Sequence, residues 1–182
     1  MIMLKAPVAG RVKTRLGRDI GMTASAWWFR HQSAALIRRL QSPRWETCLA
    51  VAPDTALHSR FWPAHLPRMA QGQGDLGARM ARILRASKGP VVLIGGDIPG
   101  VKQGHIAEAF RQLGHNDMVF GPATDGGFWL VGKRGPVPRG LFENVRWSCA
   151  TTLQQARTSA GALRIGHVSR LSDVDTLADL HR

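Results

Sequence analysis

The chain has 182 residues, 44% of them hydrophobic and 20% charged, a composition that excludes fibres and disordered tails and predicts a single domain over 1–182. Its 25 Lys and Arg stand against 12 Asp and Glu. The formal charge of +13 predicts attraction to polyanions without choosing among nucleic acid, an anionic membrane surface and a phosphorylated small molecule. No apolar run approaches the ~18 residues of a membrane span, and no secretion signal opens the chain, so the expected compartment is the cytoplasm. Cys48 and Cys149 form no CxxC and the histidines show no metal-ligand spacing. Reduced thiols are expected, and any metal would be a hard cation held by carboxylates.

Residues 1–6 read as a first strand, followed by the loop Ala6-Pro7-Val8-Ala9-Gly10-Arg11-Val12-Lys13-Thr14-Arg15-Leu16. Gly10 lets the backbone approach a ligand, and Arg11, Lys13 and Arg15 alternate as three cations, a pattern suited to a diphosphate. The GxxxxGK[ST] spacing is absent, so this is no Walker A loop, and a solvated basic loop is the competing reading. From Met22 to Gln41 the residues Met22, Ala26, Phe29, Leu36, Ile37 and Leu40 share one helical face. Trp27 and Trp28 fall off that stripe and are expected to pack under a neighbouring loop, with a stacking platform or dimer contact as the alternative. Glu46 to Ala52 reads as a strand, and Pro67 to Ala70 as a poorer one.

Gly72-Gln73-Gly74-Asp75-Leu76-Gly77 matches GxGxxG and precedes a helix, with Asp97 twenty residues beyond, the layout of a dinucleotide-binding unit. The strand before it is neither apolar nor first in the chain, which counts against a dinucleotide. Leu76, Met80, Ile83 and Leu84 form the helix stripe, and Arg79, Arg82 and Arg85 its solvated side. Val91 to Ile94 reads as a buried central strand, and Asp97 at its carboxyl end can offer one oxygen ligand to a cation bound to phosphates. The alternative for Asp97 is a turn or capping residue.

Ile106, Phe110 and Leu113 mark a helix, Met118 to Phe120 the next strand, and Phe128 to Val131 a further one. Between those strands Asp125-Gly126-Gly127 supplies a second carboxylate and also a hairpin signal. Leu153 to Ala160 is read as a helix that Ser148 caps, Leu163 to Val168 as a strand, and Asp175 to Leu180 as a closing helix capped within Asp173–Asp175. Strand and helix alternate, so the fold class is α/β: a three-layer, Rossmann-like domain with a mostly parallel mixed sheet. In such sheets ligands bind beyond the carboxyl ends of the strands.

Six blocks carry a resemblance: KAPVAGRVKTRL at 5–16, QGQGDLGARM at 71–80, VVLIGGDIPG at 91–100, GPATDGGFWLVG at 121–132, WS at 147–148 and DVDTLADL at 173–180. In this order they resemble a bacterial family of small transferases, the selenium-domain-associated or arsenosugar-biosynthesis-type glycosyltransferases. That family has the nucleotide-diphospho-sugar transferase (GT-A) fold and looks distantly like molybdenum-cofactor and phospholactate nucleotidyltransferases. The resemblance implies that Lys5, Arg11, Lys13 and Arg15, beside Gly10, contact the donor's phosphates. It implies that Asp97 holds Mg2+ or Mn2+, that Asp125 completes the metal or acceptor site, and that Asp75 with Gly74 and Gly77 holds a loop beside the nucleotide. In two respects the chain departs from the family: Gly96 stands where Ser or Thr is usual, and the first strand is shorter.

The activity so implied is transfer from a nucleoside-diphosphate sugar to a small-molecule acceptor. Nucleotidyl transfer on the same fold, with release of pyrophosphate, is the alternative. A dinucleotide-binding protein and a non-catalytic, basic nucleic-acid-binding protein are lesser ones. The expected partners are a nucleotide-sugar or NTP donor and a small acceptor. Neither a specific nucleic acid nor a membrane is expected, and a homodimer is allowed.

Overall fold

Apolar runs and period-3.6 stripes turn into strands and helices in the order the sequence predicts, with one further helix over Thr14–Ile20 where only a loop was expected. The computed structural model describes residues 1–172. Its elements are β1 (Ile2–Lys5), α1 (Thr14–Ile20), α2 (Met22–Leu40), β2 (Leu49–Ala52), β3 (Arg68–Ala70), α3 (Leu76–Ala86), β4 (Val91–Gly95), α4 (Gln103–Leu113), β5 (Met118–Pro122), β6 (Phe128–Lys133), α5 (Thr152–Ser159) and β7 (Ile165–His167). The closing helix read over 175–180 and its cap lie outside the described residues.

Alternate residues of the central strands feed two separate cores. Ile2, Leu4, Leu49, Val51, Val92 and Ile94 pack with Phe29, Leu36 and Ile37 of α2 and Ile106, Ala109 and Leu113 of α4. The intervening Ala50, Val91, Leu93, Met118, Phe120 and Val131 pack with Met80, Ile83 and Leu84 of α3 and Ala156 of α5. A strand buried on both faces reads as an unbroken apolar run, which is why Val91 to Ile94 shows no alternation. The outcome is helix, sheet, helix: three layers.

The sheet order is β3-β2-β1-β4-β6-β5-β7. β6 is antiparallel to both its neighbours, β4 and β5, while the other pairings are parallel. The short link through residues 123–127 cannot make a parallel crossover, so β6 folds back on β5 and enters between β5 and β4. From β1 the chain crosses by α2 to β2 on one side of it, and later crosses by α3, on the opposite sheet face, to β4 on the other side. The carboxyl ends of β1 and β4 therefore form a topological switch point, where an open α/β sheet leaves a crevice.

Four side chains depart from expectation. Met22 and Leu76, read as members of the apolar stripes of α2 and α3, are the first residues of those helices and are 38% and 46% exposed. Ser148 does not cap α5; it has φ +59, and the helix starts at Thr152, whose hydroxyl donates to the carbonyls of Arg146 and Cys149. Trp27 does not pack under a loop: it is 64% exposed, while Trp28 rests against the core.

Candidate functional site

The loop after β1 and the loop after β4 meet at the switch point. Lys13 Nζ donates to Asp97 Oδ2 at 3.0 Å, across 84 residues of sequence. The Lys13 side chain is 6% exposed and that of Asp97 37%. Lys13 initiates α1 with φ +45, a left-handed conformation that costs a non-glycine residue about 1–2 kcal/mol. Gly10, with φ +74, supplies the turn before it, and the Arg11 amide donates to Val8 O at 3.0 Å. Lys5 at the end of β1, Arg11 and Arg15 are exposed along this edge. The loop thus holds one nearly buried cation against a carboxylate and three at the surface.

Gly96 has a packing reason. A Cβ there would lie 2.3 Å from Leu4 Cδ2 and 3.0 Å from Met3 O, so the chain leaves β4 pressed against β1 with no room for a side chain. That close approach places Asp97 within reach of Lys13.

The β5–β6 turn stands at the same edge, because the antiparallel register Ile94↔Leu130 puts the start of β6 where β4 ends. Asp125 Oδ1 accepts from the Gly127 amide at 2.9 Å. Gly126, with φ +87, packs on the backbone of Ala150, where a Cβ would meet Ala150 O at 2.3 Å, and its carbonyl accepts from the Leu153 amide. The turn is therefore seated on the start of α5. Cys149 lies in that seat, and hydrogen bonding with the hydroxyls of Thr151 and Thr152 holds its thiol below the usual cysteine range.

The GxGxxG segment follows β3, an edge strand of three half-buried residues, not a central one. Gly74 has φ +105, and Asp75 caps α3 by accepting from the Ala78 amide at 2.8 Å. Gly77 faces Trp147 and Phe142, so its missing side chain serves helix packing. The segment is pinned by groups that sequence reasoning passed over. Buried Gln71 donates to Leu4 O and Ala50 O, and the Gly72 amide donates to Asp54 Oδ1. Arg82 donates to the carbonyls of Gln71 and Gln73, and Arg79 to that of Gly74. Arg79 and Arg82, read as part of a solvated face, thus tie down the loop, while Arg85 donates to the carbonyls of Pro138 and Arg139. Arg spacing on the helix was visible, but its carbonyl partners were not.

Lys5, Gly10, Arg11, Lys13, Arg15, Gly74, Asp75, Asp97 and Asp125 all follow, or end, strands at the carboxyl edge, and the Lys13–Asp97 contact joins the loop after β1 to the loop after β4. Among the described residues no group of three or more His, Cys, Asp and Glu gathers as a metal cage. Asp97 and Asp125 are hard oxygen donors, each following the carboxyl end of a strand, of the type that suits a cation such as Mg2+. Among the described residues, no helix is long and apolar enough to cross a membrane.

Solved structures show the same fold. A protein from Desulfovibrio desulfuricans G20 described as a "putative nucleotide-diphospho-sugar transferase" superposes with a TM-score of 0.85 and 29% identity, over 98% of this chain and 82% of that one. The 4-diphosphocytidyl-2C-methyl-D-erythritol synthase of Anaerococcus prevotii DSM 20548 gives 0.59 at 10% identity, over 99% and 94%. Rv0371c of Mycobacterium tuberculosis H37Rv, solved in complex with manganese, gives 0.52 at 17% identity, over 100% and 95%. These establish the nucleotide-diphospho-sugar transferase-like, GT-A-like fold. No curated protein matches the sequence. A family model described as "Uncharacterized protein conserved in bacteria (DUF2064)" matches residues 35–149, and the chain belongs to that family.

Proposed function

We propose that this chain is a transferase that uses a nucleoside-diphosphate sugar and a divalent cation to glycosylate a small-molecule acceptor, within one domain. The observation that carries the reading is the Lys13–Asp97 pair at the switch point of the sheet. An ammonium and a carboxylate held together there are the two groups that a cation–diphosphate pair would engage, one each. Lys5, Arg11, Lys13 and Arg15 would neutralise the phosphates, with Gly10 allowing backbone approach. Asp97, with Asp125, would hold Mg2+ or Mn2+, which when bound stabilises charge on the departing diphosphate. Asp75, Gly74 and Gly77 would keep the neighbouring loop in place beside the nucleotide. The 29% identical relative supports the donor class by its description. The narrower kinship with selenium-domain-associated or arsenosugar-type enzymes rests on the sequence blocks.

The same groups would also serve nucleotidyl transfer, because that reaction too builds charge on phosphates beside a carboxylate-held cation. Product analysis separates the two. The protein is incubated with Mg2+ or Mn2+, a panel of nucleotide sugars and nucleoside triphosphates, and small hydroxyl and phosphate acceptors. Free nucleoside diphosphate supports glycosyl transfer and free pyrophosphate supports nucleotidyl transfer. A thermal-shift screen finds the donor first: at ~100 times its dissociation constant a ligand adds ~2.7 kcal/mol of stability. A chain that no nucleotide or nucleotide sugar stabilises, with either metal, would refute both readings.

A further inference from the structure

The positive charge is not spread evenly. Residues 1–45 hold nine Lys and Arg (5, 11, 13, 15, 18, 30, 38, 39 and 44) against one carboxylate, Asp19. The same stretch carries three of the five large apolar side chains left exposed among the described residues: Val8, Met22 and Trp27. On α2 the exposed Thr23, Trp27, Arg30, His31 and Arg38 recur at spacings of 3, 4 and 7. At about 100° per residue they fall in one outward stripe, opposite the buried Phe29, Leu36, Ile37 and Leu40. Phe61, 36% exposed, extends this stripe, with the Arg30 guanidinium 5.1 Å above its ring. Trp27 and His31 lie against each other with ring centroids 3.9 Å apart and planes tilted by 40°.

We propose that this outer face of α2, with Phe61, docks the protein on an anionic membrane surface. Aromatic rings flanked by arginines suit the headgroup level of a bilayer: the rings sink toward the acyl boundary, and the guanidiniums stay with lipid phosphates. A second copy of the chain would bring like charges face to face. A single-stranded nucleic acid would stack on open rings, but one face of each ring is already occupied. The sequence reading expected no membrane partner, and this proposal departs from it; docking on a surface needs no spanning segment.

The test is co-sedimentation of the intact protein with phosphatidylcholine vesicles, with and without phosphatidylglycerol. Binding is expected only with phosphatidylglycerol. Arg30→Ala and Arg38→Ala should each weaken it about fivefold, the equivalent of roughly 1 kcal/mol per cation. Trp27→Ala should weaken it at least as much, and should do so at high salt as well as low. Arg157→Ala, on α5 across the sheet, should leave it unchanged, and all variants should melt with the parent. Absence of binding by the folded parent overturns the proposal, as does binding that Trp27→Ala leaves intact. So does a Trp27-dependent dimer, or Trp27-dependent oligonucleotide binding, in a protein that ignores the vesicles.

Discussion

Replacing Lys13 by Met should pull the two ligands of the proposed site in opposite directions. In the folded chain the ammonium lies 3.0 Å from Asp97 Oδ2, with the Lys13 side chain 6% exposed. A cation arriving at Asp97 must displace that ammonium, whereas a diphosphate arriving at Lys13 draws the ammonium off the carboxylate. A hydrogen bond to a charged group is worth about 1.5–3 kcal/mol, which is roughly tenfold to a hundredfold in an equilibrium constant. Lys13→Met should therefore bind Mn2+ alone more tightly by about that factor, and nucleoside diphosphates more weakly by a similar one. In the parent, each ligand frees the group the other needs, so each should raise the other's affinity by the same factor. Titration calorimetry of Mn2+, with and without a saturating nucleoside diphosphate, measures both effects. Equal Mn2+ affinity in parent and variant, or a parent whose Mn2+ affinity ignores the diphosphate, refutes the reasoning.

Gly96→Ser restores the residue usual in the resembling family, yet its Cβ would fall 2.3 Å from Leu4 Cδ2 in the core. Thermal melts should show a loss of about 1–3 kcal/mol, as overpacking gives; an unchanged Tm would mean that Leu4 yields freely. Arg82→Ala removes the donors to Gln71 O and Gln73 O, so hydrogen exchange of the amides at 71–75 should accelerate while that of β4 does not. Uniform exchange across both segments would show that Arg82 does not hold the loop. Burial pushes the Cys48 thiol up, and the hydroxyls of Thr151 and Thr152 hold that of Cys149 down. With its acid form less favoured, Cys149 should carry more thiolate near neutral pH, and its alkylation rate should level off at lower pH than that of an ordinary thiol. Iodoacetamide should thus modify Cys149 well before Cys48, as peptide mass spectrometry would show, and Thr151→Val should slow the reaction. Equal rates at the two cysteines would contradict these environments.

Much of the architecture was legible because it is written in short-range patterns. The run Val91 to Ile94 marks a strand covered on both faces, the stripe through Ala26, Phe29 and Leu36 a helix on a core, and Asp125-Gly126-Gly127 a reversal. The cations at 11, 13 and 15 and the carboxylates at 97 and 125 were visible for the same reason, each following a strand. Ser148 was misread because Ser before a helical pattern is a common cap, whereas here Thr152 and a left-handed residue share the turn. Trp27 was misread because periodicity shows which residues leave the core face but not whether a neighbour covers them.

What the sequence determined by itself is the kind of each element and the chemical character of each loop, since both depend on neighbours a few residues apart. Only the tertiary structure decided which of those loops meet. Strand order is set by how two sheet faces and five described helices share the apolar surface, a long-range competition that no local window records. That order places β4 beside β1, closes the space at Gly96, and brings Asp97 to Lys13 across 84 residues. Arg79 and Arg82, on the side of α3 read as solvated, also clasp the loop just ahead of their helix, because that loop turns its carbonyls toward them, which periodicity alone does not show.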